Sequence, residues 1–296
     1  MIEFSRLQEV WSAFFHTPES CAPQVLFRLL FGLVLVVNAL LLFPLLTEFY
    51  GADGLWNHAT WRRYQGRGRL SLLHWLPASS RSVRLLMWVH LLSCVCFLIG
   101  FQFRVSAVIV FVTLVSIHHR NTFILSSGDT LLRLFSFLAM FSSAGDALSM
   151  DALISGQRDF LMVDPWPLRL MQLQVSIVYL RTVFWKLRGS LWWNGTAAWY
   201  PVWVETYLRN RPPRWLLTLP LIRLATWGTL VVESSLGLLV WVRELRLPLI
   251  ATGLVMHLVF EVVLNLQFFG WVMIVGLLLF LPPALVEDLL AGLTGP

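Results

Sequence analysis

The segment MQLQVSIVYLRTVFWKLR, residues 171–188, puts a chain of polar groups into an otherwise apolar stretch. At 100° per residue, Gln172, Ser176, Tyr179 and Lys186 fall within an arc of roughly 80°, with Arg169 at its edge. Gln174 and Arg181 share the opposite side. Lipid does not reward such a stripe, whereas a cavity or a neighbouring helix does. Lys186 closes it. A desolvated amine gives up its charge more readily than one in water, and a neutral amine can abstract a proton. Tyr179 and Gln172 could then orient a substrate oxygen. The same position also suits an anchoring lysine whose ammonium reaches the headgroups.

Three further groups could join this chemistry. Glu233 lies within LVVESSLGLLVW, where a carboxylate is costly unless protonated or paired. His257 and Glu261 are four apart and share a helix face, with Asn265 continuing on about that side. Such a pair can fix a histidine tautomer or relay a proton. In IHHRNTFILSSGDTLLR, His118, His119, Arg120 and Asn121 crowd one helix end. Ser127 or Asp129 could cap the next helix. The cluster reads either as two helix ends with their loop or as the polar mouth of a cavity. In the second reading Arg120 and Asp129 belong to substrate binding, beside Gln172. No metal site is expected: adjacent histidines point about 100° apart, and the His257–Glu261 order and spacing are not those of a zinc motif.

These residues need helices to position them, and the composition says of what kind. Hydrophobic residues make up 57% of the 296 and charged residues 13%, about half the charged share of a soluble domain. The net charge of +6 comes from basic residues between apolar segments and does not suggest nucleic-acid binding. Apolar runs fall at 25–46, 83–101, 105–119, 130–146, 166–187, 217–241, 247–266 and 268–286. A span needs about 20 residues, and the 130–146 run is marginal. The expected fold is an all-α polytopic membrane protein, a bundle of about eight transmembrane helices, with seven as the alternative, in a single domain over 1–296 with no separate soluble domain. The runs are too long and continuous for a β-barrel.

Loop charges suggest a topology. Arg62, Arg63, Arg67, Arg69 and Arg81 face Glu48 and Asp53 in one loop, and Arg188, Arg209, Arg211 and Arg214 face Glu205 in another. The loop with Asp151, Asp159 and Asp164 is acidic. With eight spans the two basic loops share a side, and the positive-inside rule puts both ends outside. No cleavable signal is expected before the first span. Arg28, one turn into that span, is expected to snorkel. Asn38 should face protein. Gly51, Asp53 and Gly54 read as a turn. Trp192, Trp193, Trp199, Tyr200 and Trp203 read as an interfacial belt, or as a flat wall for a quinone-like ring. Cys94 and Cys96 read as small hydrophobes.

Several pieces together resemble the HTTM family, the membrane domain shared with vitamin K-dependent γ-carboxylases. They are FRLLFG, YGADGL, NTFILSSGDTLLR, QLQVSIVYLRTVFWKLRGSLWWNG, the glutamate of the 217–241 run and MHLVFEVVLNLQFFGW. The resemblance implies that Lys186 is the active-site base, that His257 matches a histidine of the corresponding later span, and that reduced vitamin K or another quinol is the cofactor. Two departures weigh against carboxylation of protein glutamate. The sequence stops at Pro296, where the carboxylases continue into a large soluble region, and their paired lysines become Trp185 and Lys186. Short bacterial members accompany peptide-toxin systems, which implies an inner-membrane location and a peptide or membrane-protein partner beside the membrane lipids.

Three functional classes follow. The first is an intramembrane enzyme acting on a quinone-like or peptide substrate, with Lys186, Tyr179, Glu233 and His257 as its catalytic set. The second is a scaffold or accessory protein in peptide maturation, whose polar groups hold helices together. The third is a transporter, for which paired repeats and broken helices are not visible in the sequence.

Overall fold

The computed structural model describes residues 2–51, 54–64 and 69–294. Asp53 of the expected turn and Arg67 of the basic loop lie outside the described residues. The chain is helical almost throughout. Its described strands are a two-residue antiparallel ribbon, β1 (Glu19–Ser20) with β2 (Met162–Val163), paired Glu19 to Val163 and Ser20 to Met162.

The expected eight spans, and the alternative of seven, do not hold. Five helices are long and apolar enough to cross a membrane. The first runs Ala22–Tyr50 and joins α2 (Ala22–Leu42) through a short turn at Pro44 to α3 (Leu46–Tyr50). The others are α5 (Ser80–Ile99), α6 (Phe103–Arg120), Leu219–Trp241, which contains α11 (Leu219–Leu238), and α12 (Arg243–Val263). Three expected spans fail for different reasons. Helix α7 (Ser127–Ala139) has 13 residues, about 20 Å of rise against a hydrocarbon thickness of about 30 Å. Helix α9 (Trp166–Lys186) has the length, 21 residues, but its polar stripe keeps it out of the apolar set. The 268–286 run breaks into α13 (Phe269–Leu278) and α14 (Pro283–Thr294), bent by 107°. It makes a sixth span only if the bent pair counts as one. The placement of both chain ends outside rested on eight spans and falls with that number.

Helix boundaries follow local chemistry. Pro23 sits in the first turn of α2, where its missing N–H costs nothing. Ser79 caps α5 by accepting from Ser82 N, and Gly100 ends it in the left-handed region at φ +67°, as a C-terminal glycine can. Asp151 accepts from Gln102 N and Phe103 N at 2.8 Å each, placing a carboxylate on the positive end of α6. Ser126 and Asp129 form a reciprocal capping box at α7. The N-cap is Ser126, where Ser127 or Asp129 was expected; Asp129, at the third helical position, accepts the Ser126 N–H at 2.7 Å.

Leu33, Leu41, Leu85, Leu92, Val231 and Val262 are among the large apolar residues left exposed on the spans, as a lipid-facing surface requires. The main core packs Phe31, Phe97, Phe135, Met171, Val175 and Met273 across α2, α5, α7, α9 and α13. Helix α9 packs against α7, α11, α13 and α1 (Ile2–His16), with Ile177, Phe184 and Trp185 left exposed on its outer face.

Candidate functional site

Helices α9 and α11 run antiparallel, and their register sets the site. Lys186 faces Glu233, Leu180 faces Gly237, and Ser176 faces Trp241. Gly237 makes the close approach possible, since a Cβ there would meet Leu180 Cδ2 at 2.7 Å. Small residues at such crossings let helix backbones come together.

Lys186 Nζ donates to both oxygens of Glu233, at 2.6 Å each. The side chains are 17% and 7% exposed, so the lysine stays in the bundle and does not snorkel to the headgroups. Its amine also lies 4.7 Å from the Trp192 ring centroid, a cation–π contact supplied by the expected aromatic cluster. Seven residues earlier, Tyr179 Oη and His257 Nε2 are 2.7 Å apart. Phe260 and Phe269 pack around the imidazole. His257 Nδ1 is buried and has no hydrogen-bond partner among the described residues. The two pairs share helix α9, with Tyr179 and Lys186 seven residues apart, about 10 Å along the helix axis. Helix α9 thus presents Lys186 to Glu233 on α11 and, seven residues earlier, Tyr179 to His257 on α12.

The rest of the stripe is bonded to neighbouring elements. Gln172 Nε2 donates to Leu279 O at 2.8 Å, and its Oε1 accepts from Arg169 at 3.0 Å. Arg169 also pairs with Glu19. Trp241 Nε1 donates to Ser176 Oγ at 2.9 Å. The arc read from helical angles is therefore a real interface. Gln172 serves as a strut between α9 and the end of α13.

The expected His257–Glu261 pairing is not the arrangement found. His257 turns to Tyr179, whereas Glu261 packs against Gly270 with Arg209 Nη2 at 3.6 Å. One helix face accommodates two side chains that reach different neighbours.

Arg120 and Asp129 do not join the four. Arg120 Nη2 donates to Gly51 O and Trp56 O at 2.7 Å each, and its guanidinium lies 5.0 Å from the Trp61 ring. Asp129 holds its capping box and lies 3.6 Å from His118 Nε2. Both pin loop to helix at the junction of α6 and α7.

Arg28 departs from its expected snorkelling. It is fully buried, and its guanidinium donates to Ala144 O at 2.8 Å, Ala147 O at 3.2 Å and Leu148 O. The only sequence signal for this role was an arginine in an apolar run. The Tyr179–His257 contact carried no signal either, because it joins residues 78 apart in sequence. No group of three or more histidine, cysteine, aspartate or glutamate residues able to hold a metal occurs among the described residues. Cys21, Cys94 and Cys96 are free thiols.

The family model of the HTTM domain matches residues 16–284. Comparison with curated proteins and with solved structures yielded no match.

Proposed function

The chain belongs to the HTTM domain family, and from that premise we propose that it is an integral membrane enzyme in which Lys186 and Glu233 ionise a lipid-soluble hydroxyl compound of the quinol class. The observation that carries this reading is the pairing of Lys186 Nζ with both Glu233 oxygens, beside the Tyr179–His257 pair.

The pair in its ammonium–carboxylate form has one vacancy for a proton, on the carboxylate. A quinol hydroxyl beside it loses its proton to Glu233. The O–H bond breaks, the carboxylate becomes a carboxylic acid, and the new phenolate is held by the Lys186 ammonium. Lysine then stabilises the anion while glutamate takes the proton, and the low dielectric strengthens both effects. Trp192 offers an aromatic face beside the amine, and Tyr179 with His257 supplies donors for a second oxygen. The resemblance to the vitamin K-dependent γ-carboxylases favours a quinol over other hydroxyl compounds. A peptide acceptor for any later step, and a bacterial inner-membrane setting, rest on the same resemblance.

The test uses the protein in lipid nanodiscs with a short-tailed 1,4-naphthoquinol under anaerobic conditions. The bound quinol is expected to show the quinolate absorption band at neutral pH. Glu233→Gln should keep binding and lose the band, and Lys186→Met should lose both. A bound quinol that stays un-ionised, or a Lys186→Met protein that ionises it as well as the wild type, overturns the reading.

A scaffold role is the second reading. It is favoured by one observation, that Arg169, Gln172, Ser176, Tyr179 and Lys186 of the stripe each have a partner on another element. It expects no ligand in the nanodisc experiment and a loss of partner capture in the Lys186→Met protein.

A further inference from the structure

Two open clefts adjoin at the end of the bundle where α2 begins, α5 ends and α6 starts. The larger, about 830 Å³, is walled by Leu29, Ile99, Met150, Leu153 and Leu290, with Ser149, Gln157 and Arg158 at its rim. The smaller, about 430 Å³, is lined by Arg158, Asp159, Glu287, Asp288 and Phe160. Leu148 and Arg158 belong to both. An apolar trough therefore leads past one arginine into a chamber with three carboxylates.

The level of these clefts is set by the helices. Ile99 is the last residue of α5, and Asp151 ties the following helix, α8 (Met150–Ser155), to the start of α6 through Gln102 N and Phe103 N. The same residue's N–H donates to Gly100 O at 3.1 Å. Helix α8 thus lies where spans end, at the depth of lipid headgroups. Its Leu153 and Ile154 are 75% and 70% exposed, which suits a short apolar face resting in the interface.

The charges select the occupant. Among the described residues, Arg158, Asp159, Glu287 and Asp288 form no ion pair with one another, so the guanidinium and the carboxylates that line the cleft stay available to a ligand. An anionic headgroup would meet Arg158 but also three carboxylates. A headgroup carrying phosphate and then a primary ammonium matches the order found, with phosphate at Arg158 and ammonium among the acids. A quaternary ammonium has no N–H to donate to carboxylates. We propose that these clefts form a site for one aminophospholipid of the phosphatidylethanolamine class, with acyl chain in the larger cleft and headgroup in the smaller.

The test is native mass spectrometry of the protein released from nanodiscs of equal parts phosphatidylethanolamine, phosphatidylcholine and phosphatidylglycerol. One phosphatidylethanolamine should be retained in about two- to fivefold excess over either competitor, the size expected of a largely exposed charge pair. Glu287→Gln with Asp288→Asn should abolish the preference over phosphatidylcholine. Arg158→Gln should lower retention of every phospholipid. These exposed or half-exposed positions should leave the melting temperature nearly unchanged. Equal retention of the three lipids, preferred retention of phosphatidylglycerol, or an undiminished preference in the double variant overturns the proposal.

Discussion

Arg28 and Lys186 are both cations held inside the bundle, and their partners differ in kind. Arg28 donates to main-chain carbonyls of residues 144, 147 and 148. Lys186 donates to a carboxylate. A carbonyl oxygen can accept hydrogen bonds but cannot take up a proton near neutral pH, so the Arg28 end can only hold structure. A carboxylate can accept either a hydrogen bond or a proton. The contrast separates a pin from a group capable of chemistry, and Arg120, bonded to Gly51 O and Trp56 O, falls with the pins.

The sharpest break in this comparison is Arg28→Met. It strands three buried carbonyls at about 1–3 kcal/mol apiece in the worst case, partly offset by the added apolar volume. A loss of about 4 kcal/mol is expected in unfolding from detergent, with unchanged affinity for a bound naphthoquinol in whatever protein remains folded. Arg28→Lys should recover less than half of the loss, since an ammonium lacks the planar fork that reaches several acceptors. Loss of quinol ionisation at unchanged stability would erase the distinction between the two sites.

Glu233→Ala comes next. It leaves Lys186 without its counter-charge in a mostly buried place, for a cost of about 3 kcal/mol. The double variant Lys186→Met with Glu233→Leu should regain most of that stability, because an apolar pair of similar volume replaces the ions. Ionisation of the quinol should stay absent in both proteins. A double variant that is no more stable than Glu233→Ala would mean that the ion pair carries packing which the apolar replacements cannot supply.

Gly237→Ala tests the frame rather than the chemistry. A methyl there meets Leu180 Cδ2 at 2.7 Å, too close for the present helix spacing. Overpacking of this size costs about 2 kcal/mol. Moving α11 away from α9 should also lengthen the Lys186–Glu233 contact and reduce quinol ionisation, whereas the Arg28 end should be unaffected. A protein with normal stability would show that Leu180 can turn aside.

How much of this was legible in the sequence follows the range of each interaction. The polar stripe was readable because helical periodicity is local: Gln172, Ser176, Tyr179 and Lys186 needed only a constant angle per residue. A cap near Asp129 was readable for the same reason. The number of spans was not. A hydropathy run does not reveal that 268–286 turns by 107°, or that a 13-residue helix sits inside a longer apolar run. The partners of Arg28 and His257 depend on how helices distant in sequence are placed, and nothing in FRLLFG or MHLVFE specifies them. His257 and Glu261 share a face as spacing requires, yet side-chain reach and neighbouring helices send them to Tyr179 and to Gly270. Depth alone singled out Glu233 as a carboxylate that must be protonated or find a partner, and the partner found is Lys186.

The smallest effect is expected from Tyr179→Phe, and it makes the finest cut between the readings. The hydroxyl is one member of a single 2.7 Å hydrogen bond to His257 Nε2, so its removal should cost about 1 kcal/mol. The ring remains and keeps its packing. If the pair only locks α9 to α12, the variant lowers the melting temperature slightly and leaves quinol affinity and ionisation as they were. If the pair receives a substrate oxygen, affinity falls more than stability does, because both His257 nitrogens then lack partners in the free protein and the imidazole is free to turn. His257→Gln, with Tyr179 in place, keeps a donor and an acceptor at that place. It should retain most of the stability of a structural pair but lose the binding of a ligand that depends on the imidazole. Unchanged quinol binding and ionisation in both variants, with only the small loss of stability, would place Tyr179 and His257 with the pins at Arg28 and Arg120, and would confine the chemistry to Lys186 and Glu233.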